Sequence, residues 1–198
     1  MAINIKAMLA DALLQLCNHQ SLESITVKQL IAYTHISKQT FYNHFLDKND
    51  LIQYIYLTKI IPDFDDPQKH ISFYESMVHV FERMQKYHTF MKQALLLEGQ
   101  NCLKDFIFQH CKEYDLQFHQ SRYGKEPMSD ALRFATEYHA IASSSMSISW
   151  VLSDMPASCE EMARLITDLR SVGMEQLFAS GETKGNPYRY TNEKTDKS

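Results

Sequence analysis

Ile36-Ser-Lys-Gln-Thr-Phe-Tyr-Asn-His-Phe45 limits the fold of this chain more than any other stretch. Phe41 and Phe45 are four apart, so on a helix they lie on one side and bury together. The other side carries Lys38, Gln39, Thr40, Tyr42, Asn43 and His44, hydrogen-bond donors throughout and no acid. A solvated helix face ordinarily mixes Glu with Lys; a face without acids suits a negatively charged partner. The residues before it are a second short helix. Thr26 is a good N-cap with Gln29 as its capping-box partner, and Val27, Leu30 and Ile31 line one face. The turn Thr34-His35-Ile36 then leads to Ser37, a second N-cap. Two short helices joined by a tight turn, the second polar, form a helix-turn-helix whose second helix fits the major groove of DNA.

The remainder reads as helix too. Gly and Pro number five each in 198 residues, and no long alternating β-branched run occurs. With 44 % apolar and 22 % charged residues there is ample material for a core. The spacing of Ile5, Met8, Leu9, Ala12, Leu13 and Leu16 predicts a first helix over 3–18 that completes a three-helix core with Ile25, Val27, Leu30, Ile31, Ile36, Phe41 and Phe45. Asp47 to Asp50 caps a fourth helix running to about Ile60, stopped by the Pro62–Pro67 segment. Further helices are expected over 71–87, 88–97 (ended by Gly99), 101–118, 129–152 and 158–178, with loops at 123–127 and 153–157. The fold class is therefore all-α, about nine helices. It divides into a helix-turn-helix domain over 1–47, a C-terminal helical domain over 48–180, and a polar, unpatterned tail over 181–198 read as disordered.

Ile25-Thr-Val, Leu-Ile-Ala-Tyr-Thr-His-Ile-Ser37, Thr-Phe-Tyr-Asn-His-Phe45, Asp-Lys48 and Asp-Leu-Ile52 together resemble the DNA-binding domain of TetR/AcrR transcriptional regulators. The likeness covers roughly the first quarter of the chain. One departure stands at the turn, where the family usually has Gly and this chain has His35. The turn residue tends to need positive φ, which costs a non-Gly residue roughly 1–2 kcal/mol, so His35 is expected at φ > 0.

At the start and outward face of the second helix, Lys38 offers donors to guanine, Gln39 and Asn43 can pair bidentately with adenine, and Thr40 can touch a thymine methyl. The resemblance implies phosphate contacts for Tyr42, His44 and Lys48; Thr26 and Lys28 are the remaining phosphate candidates. Ser37 completes the DNA-binding set, as a cap before a base reader. The net charge of −4 is uneven: residues 1–60 carry +1 and the rest −5. An acidic body is compatible with DNA binding at one end, since only charges within a Debye length of about 10 Å of the phosphates act.

The resemblance also implies that the last two long helices dimerise as a four-helix bundle. Ile141 to Ser149 is rich in small residues, and Trp150, Met162, Leu165, Ile166 and Leu169 supply apolar area. A homodimer suits the groove, placing two reading helices about 34–36 Å apart on a palindromic operator in double-stranded DNA. The middle helices are the expected seat of a small-molecule effector, with Tyr54, Phe73, Met77, Phe81, Met91, Phe106, Phe108 and Tyr138 as candidate cavity residues. The same set is also ordinary core at helical spacing. Repression is the family's usual role; a TetR-like activator and a helical adaptor that has lost DNA binding are the alternatives.

Other chemistries find little support. The chain has no Gly-rich phosphate loop, Gly-x-Ser-x-Gly or His-Glu-x-x-His, so it is not read as an enzyme and no cofactor is expected. Nine His and four Cys include no i, i+4 pair that chelates on one helix face, so no metal is expected. Scattered cysteines, with no signal peptide and no 18-residue apolar run, read as reduced thiols of a cytoplasmic protein that does not enter membranes.

Overall fold

The computed structural model describes residues 4–61, 72–123 and 130–170, with backbone alone at 118–123 and 131. Among these residues the fold is wholly helical. α1 (Ile5–Cys17) starts on Asn4, whose side chain accepts from the Ala7 N–H at 3.1 Å. It buries Leu9, Leu13 and Cys17, one face at i, i+4, i+8. α2 (Val27–Thr34) opens with the expected capping box: Thr26 Oγ1 accepts from the Gln29 N–H at 3.2 Å, and Gln29 Oε1 accepts from the Thr26 N–H at 2.8 Å. It ends at His35 in the left-handed region, φ 55° and ψ 29°, as the turn requires. α3 (Lys38–Tyr42) is capped by Ser37 Oγ, which accepts from the Thr40 N–H at 2.9 Å. α3 is shorter than the polar stretch suggested, because its last turn tightens: the His44 and Phe45 N–H groups both donate to the Phe41 carbonyl.

α4 (Lys48–Ile55), capped by Asp47, runs on as a π-helical turn over Tyr56–Ile60. α5 (Phe73–Lys86) opens with a Ser72/Glu75 capping box, and α6 (His88–Leu96) follows at once. The turn after α6 uses Gly99 at φ 113° and Asn101 at φ 58°. α7 (Leu103–Tyr123) continues past the expected stop at Phe118. α8 (Asp130–Leu152) and α9 (Cys159–Arg170) complete the described chain. The Pro62–Pro67 boundary, the 124–127 loop, the last turns expected to Phe178 and the tail over 181–198 lie outside the described residues.

α7 packs along α8 and α5 along α9, while α4 touches both α1 and α7. One buried cluster runs from Leu9 through Phe41, Leu51 and Ile55 to Phe81, Trp150 and Ile166. α4 therefore shares its core with both ends of the molecule. Polar clamps reinforce the join. The Gln93 side chain donates to the Cys17 carbonyl at 3.2 Å and accepts from the Leu22 N–H at 2.5 Å. Asn49 and Gln53 donate to the Gln100 and Asn101 carbonyls at 3.1 and 2.9 Å.

Candidate nucleic-acid interface and effector cavity

The helix-turn-helix turns its apolar residues inward and its donors outward. Phe41 and Phe45 are buried with ring centroids 6.0 Å apart, and Ile25 and Leu30 are buried with them. Lys38, Gln39, Tyr42 and Asn43 are exposed on the other side, with Thr40 and His44 half-buried. These side chains hold one another: Gln39 Nε2 donates to Asn43 Oδ1 at 2.8 Å, and Lys38 Nζ sits 5.9 Å from the Tyr42 ring centroid. The Ser37 and Thr40 hydroxyls meet at 2.8 Å. Ser37 thus works as a cap. Thr26 and Lys28 are exposed at the start of α2.

Lys48 is placed differently from the others. Its Nζ donates to the carbonyls of Leu22, Glu23 and Ile25 at 2.8, 3.1 and 2.8 Å. An ammonium has three protons, and here each has a protein acceptor. Burial pulls the Lys48 pKa below the usual lysine range, with nearby Glu23 opposing it. The start of α4 is likewise occupied: Asp47 accepts from the Asp50 N–H at 2.8 Å, and Asp50 accepts from the Leu46 N–H at 2.8 Å. Lys48, expected at a phosphate, ties the loop before α2 to α4.

In the C-terminal half a cavity of about 80 Å³ opens between the π-helical turn after α4 and helices α5, α7, α8 and α9. Its walls are mostly apolar, with Phe73, Met77, Val80 and Met84 of α5 facing Ile107 and Ile166. Tyr56, in the π-helical turn, closes one side, its ring set edge-on to Phe106 and His110 at 6.2 Å each. The polar lining is concentrated on α7, α8 and α9. Arg170 Nη1 donates to Asp115 Oδ1 at 2.7 Å, and His139 Nδ1 lies 3.2 Å from Asp115 Oδ2. The Arg170 guanidinium also rests 4.2 Å from the Phe73 ring centroid. Burial alone would raise the Asp115 pKa, but the hydrogen bond from His139 and the charge of Arg170 outweigh it and hold the carboxyl below the usual range. Among the described residues no group of three or more His, Cys, Asp and Glu is placed to hold a metal ion, and no helix is long and apolar enough to cross a membrane.

A TetR family model, described as a transcriptional regulator C-terminal region, matches residues 72–171, just over half the chain. The chain belongs to the TetR family of transcriptional regulators. Among solved structures, the dihydroxyacetone kinase operon activator DhaS is similar in fold, with TM-score 0.64 and 18 % identity over 88 % of this chain and 98 % of that one. No curated protein matches the chain.

Within this TetR regulator, two of the residues expected around an effector, Phe73 and Met77, line the cavity. The others stand elsewhere. Tyr54 packs on Phe45, 5.4 Å between centroids, at the back of the reading head. Phe81 is fully buried against Trp150, and Met91 is fully buried core. Phe106 stacks on His110 behind the wall, Phe108 is half-buried away from the lining, and Tyr138 is 69 % exposed. Sequence reasoning sought an aromatic and Met lining and so missed Tyr56, Asp115, His139 and Arg170. The signal available was an Asp, a His and an Arg inside otherwise apolar helical patterns, where a charged group is rarely buried unless paired.

The apolar residues expected to dimerise are also divided. Trp150, Met162 and Ile166 are buried within the subunit, with Trp150 Nε1 donating to the Ala157 carbonyl at 3.0 Å. Phe134, Tyr138, Ile141 and Met146 of α8 and Leu165 and Leu169 of α9 are exposed.

Proposed function

We propose that this regulator is a cytoplasmic homodimer that reads a palindromic operator through α3 and is controlled by a small-molecule effector in the C-terminal cavity. The observation that carries it is the α3 surface, with Lys38, Gln39, Tyr42 and Asn43 exposed and free of acids on a rigidly capped helix. Lys38, Gln39, Thr40 and Asn43 are assigned to base edges, and Tyr42, His44, Thr26 and Lys28 to phosphates. Ser37 holds the start of α3, and Lys48 is assigned a positioning role, since its protons are already bonded.

Support for the dimer comes from the apolar stripe. Phe134, Tyr138, Ile141 and Ala142 fall at helical spacing on one exposed face of α8, and Leu165 and Leu169 on one face of α9. Exposed apolar side chains in a continuous stripe mark an interface, and a second copy of the same pair of helices is the partner that the operator's symmetry calls for.

Support for effector control comes from position. Tyr56 lines the cavity and lies in the same helix whose Leu51, Ile52 and Ile55 are buried against the reading head. A ligand that prefers one setting of α4 shifts DNA affinity by no more than its differential affinity for the two settings. The sign of regulation follows the family's usual outcome, repression; activation is the second reading, the role carried in the name of the similarly folded DhaS protein. Selection from random-sequence duplex DNA tests the reader. A twofold-symmetric site with half-sites about one helical turn apart is expected; recovery of no common sequence removes the proposal.

A further inference from the structure

Three helices bring Asp115, His139 and Arg170 together on one cavity wall, all three buried. Asp115 joins the other two by separate oxygens, Arg170 on Oδ1 and His139 on Oδ2. An ionised carboxylate only accepts, so the hydrogen of the His139 ring belongs on Nδ1, facing Asp115. The second nitrogen, His139 Nε2, is buried and has no hydrogen-bond partner. An unpaired buried polar atom costs about 1–3 kcal/mol. Here it belongs to a residue that lines a cavity, in a side chain that is nine-tenths buried (10 % exposed).

On the wall, the Asp115 carboxylate meets the Arg170 guanidinium at 2.7 Å, a buried pair of opposite charges. Burial pulls the His110 pKa down, pushes the Cys111 thiol up to about 12, and raises the Tyr56 phenol well above its ordinary value. All three are neutral groups. The serine hydroxyls along α8 have their protons engaged: Ser143 donates to the His139 carbonyl at 2.7 Å, Ser144 to that of Ala140 at 2.5 Å, and Ser147 to that of Ser143 at 2.8 Å. They turn lone pairs to the cavity. The α8 side of the lining therefore offers acceptors, at His139 Nε2 and the serine hydroxyls, and α5 faces it with apolar side chains.

We propose that the cavity binds a small, neutral, mainly apolar molecule through a hydroxyl that donates to His139 Nε2. This rests on the effector reading above and narrows it to a chemical class. A carboxylate has no hydrogen to give to Nε2, and an ether or hydrocarbon would likewise leave it unpaired. The Asp115–Arg170 pair orients the imidazole by holding the hydrogen on Nδ1.

The test uses the full chain with ¹⁵N-labelled histidine and three probes of one ring size: phenol, its methyl ether anisole, and benzoate. Phenol should move the His139 Nε2 resonance toward greater shielding and bind about tenfold more tightly than anisole, the worth of one hydrogen bond in a desolvated site. Benzoate should bind more weakly than phenol at neutral pH. In His139→Phe the phenol preference should vanish, with phenol and anisole within about twofold of each other. The wild-type comparison stands by itself should that variant not fold. Anisole or benzoate binding as tightly as phenol overturns the proposal, as does failure of all three to bind at millimolar concentration. DNA affinity is read separately. Phenol that binds through His139 and leaves DNA affinity unchanged supports the ligand class and removes effector control. Altered DNA affinity with no discrimination among the probes does the reverse.

Discussion

The reading head and the sensor cavity are built from similar helices but treat polar groups in opposite ways. In the head, the helix caps and the contacts along α3 are local and at the surface, with Lys48 the long-range exception. Thr26, Ser37 and Asp47 cap their own helices within three residues, and Gln39 pairs with Asn43 one turn away. Around the cavity the charged contacts are buried and distant in sequence: Asp115 reaches His139 across 24 residues and Arg170 across 55. Local caps set a helix in place and leave its face open to a partner. A buried trio sets three helices relative to one another and is sensitive to whatever enters beside it. The first arrangement suits a rigid reader and the second a responsive core.

If this contrast is right, substitutions should rank accordingly. Arg170→Met removes one partner of a buried pair and should cost about 3–5 kcal/mol in urea unfolding, since Asp115 is left without its cation. Asp115 also sets an acid dependence. Its folded pKa is depressed, so its contribution is fully present above the unfolded value of 3.8 and is lost as pH falls through the folded value. Wild-type stability should therefore keep dropping below pH 3.8, and more steeply than that of Asp115→Asn; parallel curves would contradict the assigned charge state.

Lys48→Met comes next, at about 2 kcal/mol, because three carbonyls lose a charged donor. Its DNA affinity at a temperature where the variant remains folded should stay within about threefold of wild type, as expected of a residue making no phosphate contact. A tenfold loss on that measurement would return Lys48 to the phosphate set. Thr26→Ala removes one cap of α2 and should lower stability by about 1 kcal/mol. Smallest, His35→Gly should raise the midpoint of thermal unfolding, because φ 55° strains a side chain and relief is worth up to about 1 kcal/mol after the entropy of Gly is counted. A lowered midpoint would mean that the turn is not strained.

The same contrast explains what could be read from the amino-acid sequence. Caps are short-range, so Thr26, Gln29, Ser37 and Asp47 were legible from residues within four positions, whereas the left-handed His35 followed from the resemblance to a family that usually has Gly there. The paired phenylalanines of α3 announce their burial by spacing alone. The cavity was not legible in that way. Phe73 and Met77 belong to it, whereas Phe81 of α5 and Met91 of α6 have the same residue character and are solid core, because only the packing between helices separates the lining from the interior. The polar trio has no periodicity, as its members come from three helices. Trp150 shows the same limit: an aromatic near a helix end reads equally as interface or core, and its contact with Phe81 at 5.1 Å decides for core.

The most direct test of the account is recovery of fragmented source-genome DNA by the purified protein beside Tyr42→Ala, at near-physiological salt. Tyr42 is 47 % exposed on α3, so its truncation should leave the fold intact. The account predicts enrichment of one or a few palindromic sites by the wild type, with recovery falling about tenfold or more in the variant. Diffuse recovery, equal for the two proteins, would contradict it.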